Sequence, residues 1–462
     1  MRILLIIYDN GSFVQWFSMG VGYIASVLRR EGYNVCIYNQ DVYHYPEEHL
    51  THYLNKNKFD VVGVGIIAGY YEYRKILKIS DAINRVKNKP VYVIGGHGPS
   101  PEPEYFLLKT QADVAILGEG EVTVVEFFNA LINNRTLKDI KGIAYREGEQ
   151  VTINERRSFI DDVDSIPFPA YDLFPIVHYR LLRAVHVERT EFVLPMLTGR
   201  GCTFECTFCY RLDPGFRPRS NESIIDEIKL LKKNYGITYI IFADELLMSS
   251  PARTISLCED FIRSQLNIKW ICNGRLNYAK PEVLQIMKKA GCVFINYGVE
   301  SMDDEVLKNM KKGLTSDQII RGVEHTLDVG IKPGLNIMFG NIGDNKDTLD
   351  KGVKFLLKYS DDLQMRTIRP VTPYPGSPLY YYAINNGLVK DCEDFYENKH
   401  TNSDLLSVNF TKLSDGEFYE ALFNANEKLI HAYYDLTRSK AIQVAKNLYY
   451  AKDVSFRGFR QT

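Results

Sequence analysis

The 462-residue sequence predicts an α/β protein: two parallel-sheet units followed by a small helical end. Three observations carry that expectation. Short apolar runs alternate with helix-period stretches over residues 1–135 and again over 186–385. Two prolines in Ile166-Pro-Phe-Pro-Ala-Tyr171 mark an extended connection between these units. Beyond residue 385 the alternation stops and helix-period segments follow a polar stretch. The length allows two or three domains of ~100–200 residues, and 45% apolar content is enough to build a core.

Taken in order, Ile3–Tyr8 is a continuous apolar run, as expected of a parallel strand covered on both faces. Helical periodicity runs through Tyr23–Arg30 and stops at Gly32. Strand-like runs follow at Asn34–Tyr38, Val61–Ile67, Val91–Ile94 and Val114–Leu117, with helices near Arg74–Val86 and Val122–Leu131. Strands separated by helices imply a doubly wound parallel sheet, which binds ligands at the carboxyl ends of its strands. Three glycine turns sit at those ends: Gly63-Val-Gly65, Gly95-Gly-His-Gly98 and Gly118-Glu-Gly-Glu121. Glycine there permits close approach of a ligand to the backbone, although such turns also occur as plain connections. A hairpin over 142–153 and the proline linker fill 141–185, with the first unit placed at 1–140.

In 186–385, strands are expected at Val193–Thr198, Tyr239–Ala243, Ile268–Asn273, Phe294–Val299, Pro333–Phe339 and Gln364–Pro370. Helices are expected at Ser223–Lys233, Pro251–Gln265, Pro281–Ala290, Asp303–Asn309, Ser316–Val329 and Lys346–Tyr359. About six sequential βα repeats favour a parallel barrel or a wound sheet. In 386–462, Asp391–Asn409 reads as irregular, Ser414–Tyr434 as an amphipathic helix capped by Ser414 with Glu417, and Arg438–Ala451 as a further helix. The glycine-bearing tail Ser455–Thr462 follows. This end is expected to cap the open end of the barrel and to contact substrate.

The chemistry is concentrated in Thr198-Gly-Arg-Gly-Cys202-Thr-Phe-Glu-Cys206-Thr-Phe-Cys209-Tyr210. Three of eight cysteines fall within eight residues at CxxxCxxC spacing. Soft thiolates hold iron–sulfur clusters well, and three ligands leave one iron of a 4Fe–4S cluster open to a small molecule. Zinc is the competing metal, but structural zinc sites use four ligands in paired motifs, and no second pair is present. Three unrelated buried thiols are the remaining alternative. Polar residues at strand ends add candidates: Asp244-Glu245, Asn273-Gly-Arg275 and Gly298-Val-Glu300-Ser301. Each could equally be a helix cap or a loop carboxylate.

The cysteine spacing, ending in an aromatic residue, resembles the radical S-adenosylmethionine enzymes. That resemblance implies a partial (β/α)6 barrel and makes Cys202, Cys206 and Cys209 the cluster ligands. S-adenosylmethionine then sits on the open iron and is cleaved to a 5′-deoxyadenosyl radical. Phe208 and Tyr210 flank the last ligand. Asp244 and Glu245 match the segment near the methionine amino group, Arg275 a basic position near its carboxylate, and Gly298, Glu300 and Ser301 a ribose- and carboxylate-contacting motif. Met338–Asp344 and Thr372–Leu379 also resemble this class.

Met19–Ala25, Gly95–Glu104, Gly118–Thr123 and the linker Asp161–Asp172 together resemble the cobalamin-binding domain that precedes one class of these enzymes. Gly20, Gly65, Gly95, Gly96, His97, Gly118, Glu119 and Gly120 are the cofactor-binding candidates this implies. One departure stands out: no DxHxxG motif occurs, and Asp41-Val-Tyr-His44 has the wrong spacing, so His44 reads as a surface residue. The whole implies a methyl transfer from methylcobalamin to an unactivated carbon of a small molecule. A radical cyclase, rearrangement or dehydratase is the alternative within the family, and an iron–sulfur electron carrier the alternative outside it. An external one-electron reductant such as flavodoxin or ferredoxin is implied as partner.

A net charge of −1 with no basic run gives no signal for nucleic acid, and no run approaches eighteen apolar residues, so no membrane span is expected. The first apolar run lacks a cleavage site and reads as a strand. The other cysteines (Cys36, Cys258, Cys272, Cys292, Cys392) form no disulfide pattern, which fits a reducing cytoplasm.

Overall fold

The computed structural model describes all residues except 10, 12–16, 68, 182–186, 189, 211–213, 362 and 457–462. The end of the expected tail therefore lies outside the described residues.

The first unit contains β1 (Arg2–Ile7), α1 (Met19–Arg30), β2 (Asn34–Asn39), the single turn α2 (Gln40–Tyr43), α3 (Glu47–Lys56), β3 (Val61–Gly65), α4 (Tyr70–Asn84), β4 (Val91–Gly95), α5 (Pro103–Thr110), β5 (Val114–Ile116), α6 (Glu121–Ile132), β6 (Ile143–Glu147) and β7 (Gln150–Ile153). Its sheet runs β2-β1-β3-β4-β5-β6-β7. Strands β1 to β5 are parallel, while β6 and β7 add on antiparallel. The hairpin expected in the linker segment thus extends the first sheet. Strand order reverses between β1 and β3, so the crevice of this wound sheet lies at their carboxyl ends. Apolar side chains fill both faces: Leu4, Ile6, Val62 and Val64 on one, Ile3, Leu5, Val61 and Val93 on the other.

After the single turn α7 (Ile176–Tyr179), the second unit contains β8 (Val193–Met196), β9 (Gly199–Arg200), β10 (Arg217–Pro218), α8 (Asn221–Tyr235), β11 (Tyr239–Phe242), α9 (Pro251–Arg263), β12 (Lys269–Gly274), α10 (Pro281–Lys289), β13 (Cys292–Glu300), α11 (Asp304–Asn309), α12 (Ser316–Asp328), β14 (Lys332–Phe339), α13 (Lys346–Lys358) and β15 (Arg369–Pro370). Six parallel strands follow each other in chain order, β8-β11-β12-β13-β14-β15. Sequential order with helices on one side is a partial (β/α) barrel, as the repeats predict. Leu194, Ile240, Phe242, Trp270, Ile295, Tyr297, Leu335 and Ile337 face the helices and make its core.

The end of the chain differs from expectation in two ways. The helices expected at Ser414–Tyr434 and Arg438–Ala451 are one helix. After α14 (Pro378–Asn385) and the turn α15 (Cys392–Asp394), α16 runs unbroken over Asp415–Tyr450. The polar break at 435–440 is absorbed, with Thr437 Oγ1 donating back to Tyr433 O at 3.0 Å. Its capping box, Ser414 with Glu417, is as the sequence predicts. The position differs too. Phe418 stacks on Phe339 at 4.8 Å and Asn426 bonds Ile368 in both directions, so α16 walls the β14–β15 side. The segment before it packs on the first unit. Tyr396 stacks on Tyr73 at 4.5 Å, and Glu397 accepts from Tyr73 and Arg74.

Candidate active site

The cysteine loop is closed at its base. β9 and β10 pair antiparallel, matching Arg200 with Arg217 and Gly199 with Pro218. Above them Cys202 bridges Pro214. Cys209 N–H donates to Cys206 O at 3.2 Å, Thr207 N–H to Met310 O at 3.0 Å, and Leu379 N–H to Thr207 O at 2.8 Å. Backbone bonds to two other segments therefore fix the loop. Cys206 is buried, Cys202 and Cys209 are half-buried, and all three are free thiols.

Burial pushes the Cys209 thiol up to about 12, with Glu245 and the two neighbouring thiols adding and Lys312 opposing. Cys202 is raised for the same first reason. Thiolates in such a place ionise only with a compensating cation, which is what a metal ligand set provides. Among the described residues no three His, Cys, Asp or Glu side chains converge on a point suited to a single ion. A four-iron cluster asks for something else, each thiolate meeting a different iron. A short loop of three soft donors suits that demand.

The barrel interior is layered. At the amino ends of the strands Val193, Tyr239, Ile241, Ile271 and Val293 form an apolar plug. Above it runs a ladder of amides. Asn273 Nδ2 donates to Asp244 O at 2.8 Å, Asn296 Nδ2 to Asn273 Oδ1 at 3.2 Å, and Asn336 Nδ2 to Asn296 Oδ1 at 2.9 Å. A backbone carbonyl can only accept, so Asp244 O fixes the direction of the whole ladder. Asn336 is exposed at its far end.

At the carboxyl ends of the strands stand the charged groups. Arg275 is 6% exposed, and its Nε and Nη2 have no hydrogen-bond partner. Its guanidinium stacks on Phe204 at 3.3 Å from the ring centre. Burial lowers its pKa, while the adjacent Cys206 and Cys202 oppose the shift. A buried guanidinium with idle N–H groups fits a ligand carboxylate, the group the family resemblance puts there. Glu300 and Lys312 form a buried pair at 3.0 Å, and Lys312 Nζ lies 5.7 Å from the centre of the Phe208 ring. Glu300 adopts φ 66°, the left-handed region that favours glycine, next to a register shift in β13. Gly298 lies two residues before it in β13, and Ser301 is buried, accepting from Asp303 N–H.

Asp244 and Glu245 part company. Asp244 is 1% exposed and its Oδ1 accepts from Thr198 N–H at 2.8 Å and Thr198 Oγ1 at 3.0 Å. Burial pushes its carboxyl up to about 6. It anchors the strand end that launches the cysteine loop, together with Arg253, whose Nη2 donates to Thr198 O at 2.7 Å. Glu245 is exposed and close enough to raise both Cys202 and Cys209.

Tyr210 links the two units. Its ring meets His97 edge-on at 6.0 Å. A Cβ on Gly376 would come within 2.5 Å of that ring and 2.8 Å of Pro101. His97 lies exposed in this concave edge, where the surrounding protein lowers its pKa. The glycine turns behind it differ in their reasons. Gly96 has φ +100° and a Cβ there would press on Ile66 O at 2.7 Å, so the fold itself requires it. A Cβ on Gly120 would be crowded by Ile24, and one on Gly95 would sit 3.5 Å from Ile116. Gly65 has ordinary φ and no described atom within 4 Å of a Cβ, and Gly20 is the same. Neither conformation nor packing explains those two. A flat ligand against the backbone would, which fits a corrin. Gly118 has φ +75°. Glu119, expected to bind cofactor, has both carboxylate oxygens engaged by Arg200 and Arg217. His44 is exposed and pairs with Asp9 at 3.0 Å.

Sequence reasoning did not single out Lys312, Arg217, Arg253 or the three asparagines as a set. The signal for the asparagines was available: each occupies an inward position on successive strands.

Residues 196–356 match the radical SAM superfamily and residues 12–128 match the B12 binding domain. An uncharacterised methyltransferase of Pyrococcus horikoshii is 30% identical over 400 residues, covering 84% of both chains. The anaerobic magnesium-protoporphyrin IX monomethyl ester cyclase of Rubrivivax gelatinosus is 26% identical over 411 residues, 86% of this chain and 72% of its own. The fold is similar to that of OxsB, a cobalamin-dependent S-adenosylmethionine radical enzyme solved with aqua-cobalamin and S-adenosylmethionine. The TM-score is 0.73 at 20% identity, over 91% of this chain and 65% of that one. No described helix is long and apolar enough to cross a membrane. With both matched regions in this order on one chain, and a relative of this identity along most of its length, the protein belongs to the cobalamin-binding radical S-adenosylmethionine enzymes.

Proposed function

We propose that the protein methylates an unactivated carbon of a small, polar molecule. Bound in this chain, the cluster, S-adenosylmethionine and cobalamin supply a 5′-deoxyadenosyl radical and a methyl donor. The observation that carries the reading is the meeting of Tyr210, next to Cys209, with His97 of the first sheet's glycine turn. That contact supports a shared space between the cluster ligands and the cobalamin edge.

The chain's own residues have distinct parts. Cys202, Cys206 and Cys209 would hold the cluster and leave one iron open. Arg275 would take the carboxylate of S-adenosylmethionine, with Glu245 near its amino group and Glu300 and Ser301 near its ribose. The backbone at Gly20, Gly65, Gly95 and Gly118 would carry the corrin. The apolar plug lines the barrel floor, and the amide ladder above it supports a substrate rich in hydrogen-bonding groups. A flavodoxin- or ferredoxin-like protein would deliver the electron. Eight free thiols support a reducing, cytoplasmic setting.

The likeness to a cyclase favours a second reading, ring formation or rearrangement without methyl transfer. Anaerobic protein reconstituted with iron, sulfide and hydroxocobalamin, then given reductant and methyl-labelled S-adenosylmethionine, separates the two. Methyl transfer requires label on cobalamin together with S-adenosylhomocysteine. Deoxyadenosine alone, with the label remaining in methionine, removes the methylation reading.

A further inference from the structure

The two arginines at the base of the cysteine loop share one carboxylate from the other domain. Glu119 Oε1 lies 2.7 Å from Arg200 Nη1, and Glu119 Oε2 lies 2.9 Å from Arg217 Nη1. Oε2 also accepts from Ile160 N–H at 2.7 Å. Arg200 Nη2 reaches Glu121 Oε1 at 2.5 Å, and its guanidinium lies 5.4 Å from the centre of the Tyr23 ring. Arg217 donates to Ile160 O at 2.6 Å and lies 5.0 Å from the Phe159 ring centre. The four charged side chains are between 6% and 14% exposed.

Two features make this more than a buried ion pair. Arg200 and Arg217 face each other across the β9–β10 pair, so Glu119 grips both sides of the loop that carries Cys202, Cys206 and Cys209. Glu119 also stands between Gly118 and Gly120, in a turn at the carboxyl end of the first sheet. A displacement of that turn would be passed to the cysteine loop through desolvated, charge-assisted contacts, one from each arginine to each Glu119 oxygen.

We propose that Glu119 is a positioning residue that couples cobalamin binding on the first sheet to the geometry of the cysteine loop, through Arg200 and Arg217, without touching cobalamin itself. This rests on the cobalamin reading above. Coupling of this kind is reciprocal: what favours one site's bound geometry favours the other's.

The test measures hydroxocobalamin affinity by absorbance titration in reconstituted wild type, Glu119→Gln, Arg200→Gln and the double variant. Arg200 belongs to the barrel, yet its loss is expected to weaken hydroxocobalamin by about tenfold, as is the loss of Glu119. The double variant should be no weaker than the worse single one, because the same contact is lost twice. With the cluster kept oxidised, hydroxocobalamin should also slow hydrogen–deuterium exchange over 199–202 in wild type, and in the variants it should not. Normal affinity in Arg200→Gln beside weak affinity in Glu119→Gln would mean that Glu119 contacts cobalamin directly, and overturns the proposal. Additive losses overturn it as well.

Hydrogen–deuterium exchange of the apoprotein gives a second arm, with Arg200→Lys as the milder variant should Arg200→Gln not fold. Glu119→Gln should speed exchange at 199–202 and 216–219 in the other domain, and unchanged exchange there overturns the coupling. This arm needs no cobalamin. Protein that takes up none would remove the cobalamin reading and leave the latch to be decided by exchange.

Discussion

Two buried charge clusters flank the cysteine loop, and they are built in opposite ways. Below the loop, the Glu119 oxygens are met by two guanidiniums and a backbone N–H. At the barrel mouth, Arg275 keeps two guanidinium nitrogens without partners at 6% exposure, and Asp244 Oδ2 and Arg253 Nη1 likewise have none. Desolvated charges are costly in either place. Where protein groups meet the charge, the cluster is structural and welds the domains. Where they do not, as at Arg275, the hydrogen bonds are the ones proposed above for the carboxylate of S-adenosylmethionine. The Asn273–Asn296–Asn336 ladder lies between these cases, satisfied along its length and open at Asn336.

Removing any of Cys202, Cys206 or Cys209 should break the comparison most severely. Each alanine variant is expected to lose the visible absorption of the reconstituted protein and all cleavage of S-adenosylmethionine, while circular dichroism stays near wild type. Next in size, Glu119→Gln removes the buried carboxylate shared by Arg200 and Arg217 and leaves Arg200 its contact with Glu121, and chemical denaturation should show a loss of about 3 kcal/mol. Arg275→Met should show the reverse signature. S-adenosylmethionine affinity falls by about ten- to a hundredfold, the worth of charged hydrogen bonds at about 1.5–3 kcal/mol, with stability unchanged or improved. A large stability loss in Arg275→Met would erase the distinction drawn between the clusters.

A pH series sharpens the same contrast. The folded-state pKa of Asp244 is raised to about 6, so its contribution to stability is present below the unfolded value near 3.8 and is lost as pH rises through about 6. Relative to Asp244→Asn, wild type should lose about 3 kcal/mol between about pH 3 and 7, the worth of a shift of about two units. Parallel thermal melts of the two proteins across that range check it. The smallest effect is expected far from both clusters. Tyr449 and Tyr450 at the end of α16 are exposed, and truncation after Arg438 should change stability by less than about 1 kcal/mol in the same melts.

The repeating pattern of the chain made most of the architecture legible. Continuous apolar runs such as Ile3–Tyr8 and the paired periods of the barrel announce strands and helices directly. Elements with weak patterns escaped. Helix α3 buries only Leu50 and Leu54, and α14 follows a proline-rich turn, so neither stood out from loop. The cysteine loop stood out because its pattern is local, three thiols in eight residues. Glu119 was not, because its partners Arg200 and Arg217 lie 81 and 98 residues away. A glycine-flanked acid in a strand-end turn reads as a ligand contact, and its two arginine partners cannot be seen from local sequence. Lys312 is similar, meeting Glu300 only through a fold-back of twelve residues.

The open iron is the claim on which the rest depends, and spectroscopy of the reduced protein addresses it directly. Anaerobically reconstituted protein should hold about four irons per chain. The electron paramagnetic resonance spectrum of its reduced cluster should shift when S-adenosylmethionine is added, and Arg275→Met should need more S-adenosylmethionine for the same shift. Zinc in place of iron, or a cluster spectrum indifferent to S-adenosylmethionine, would contradict the account.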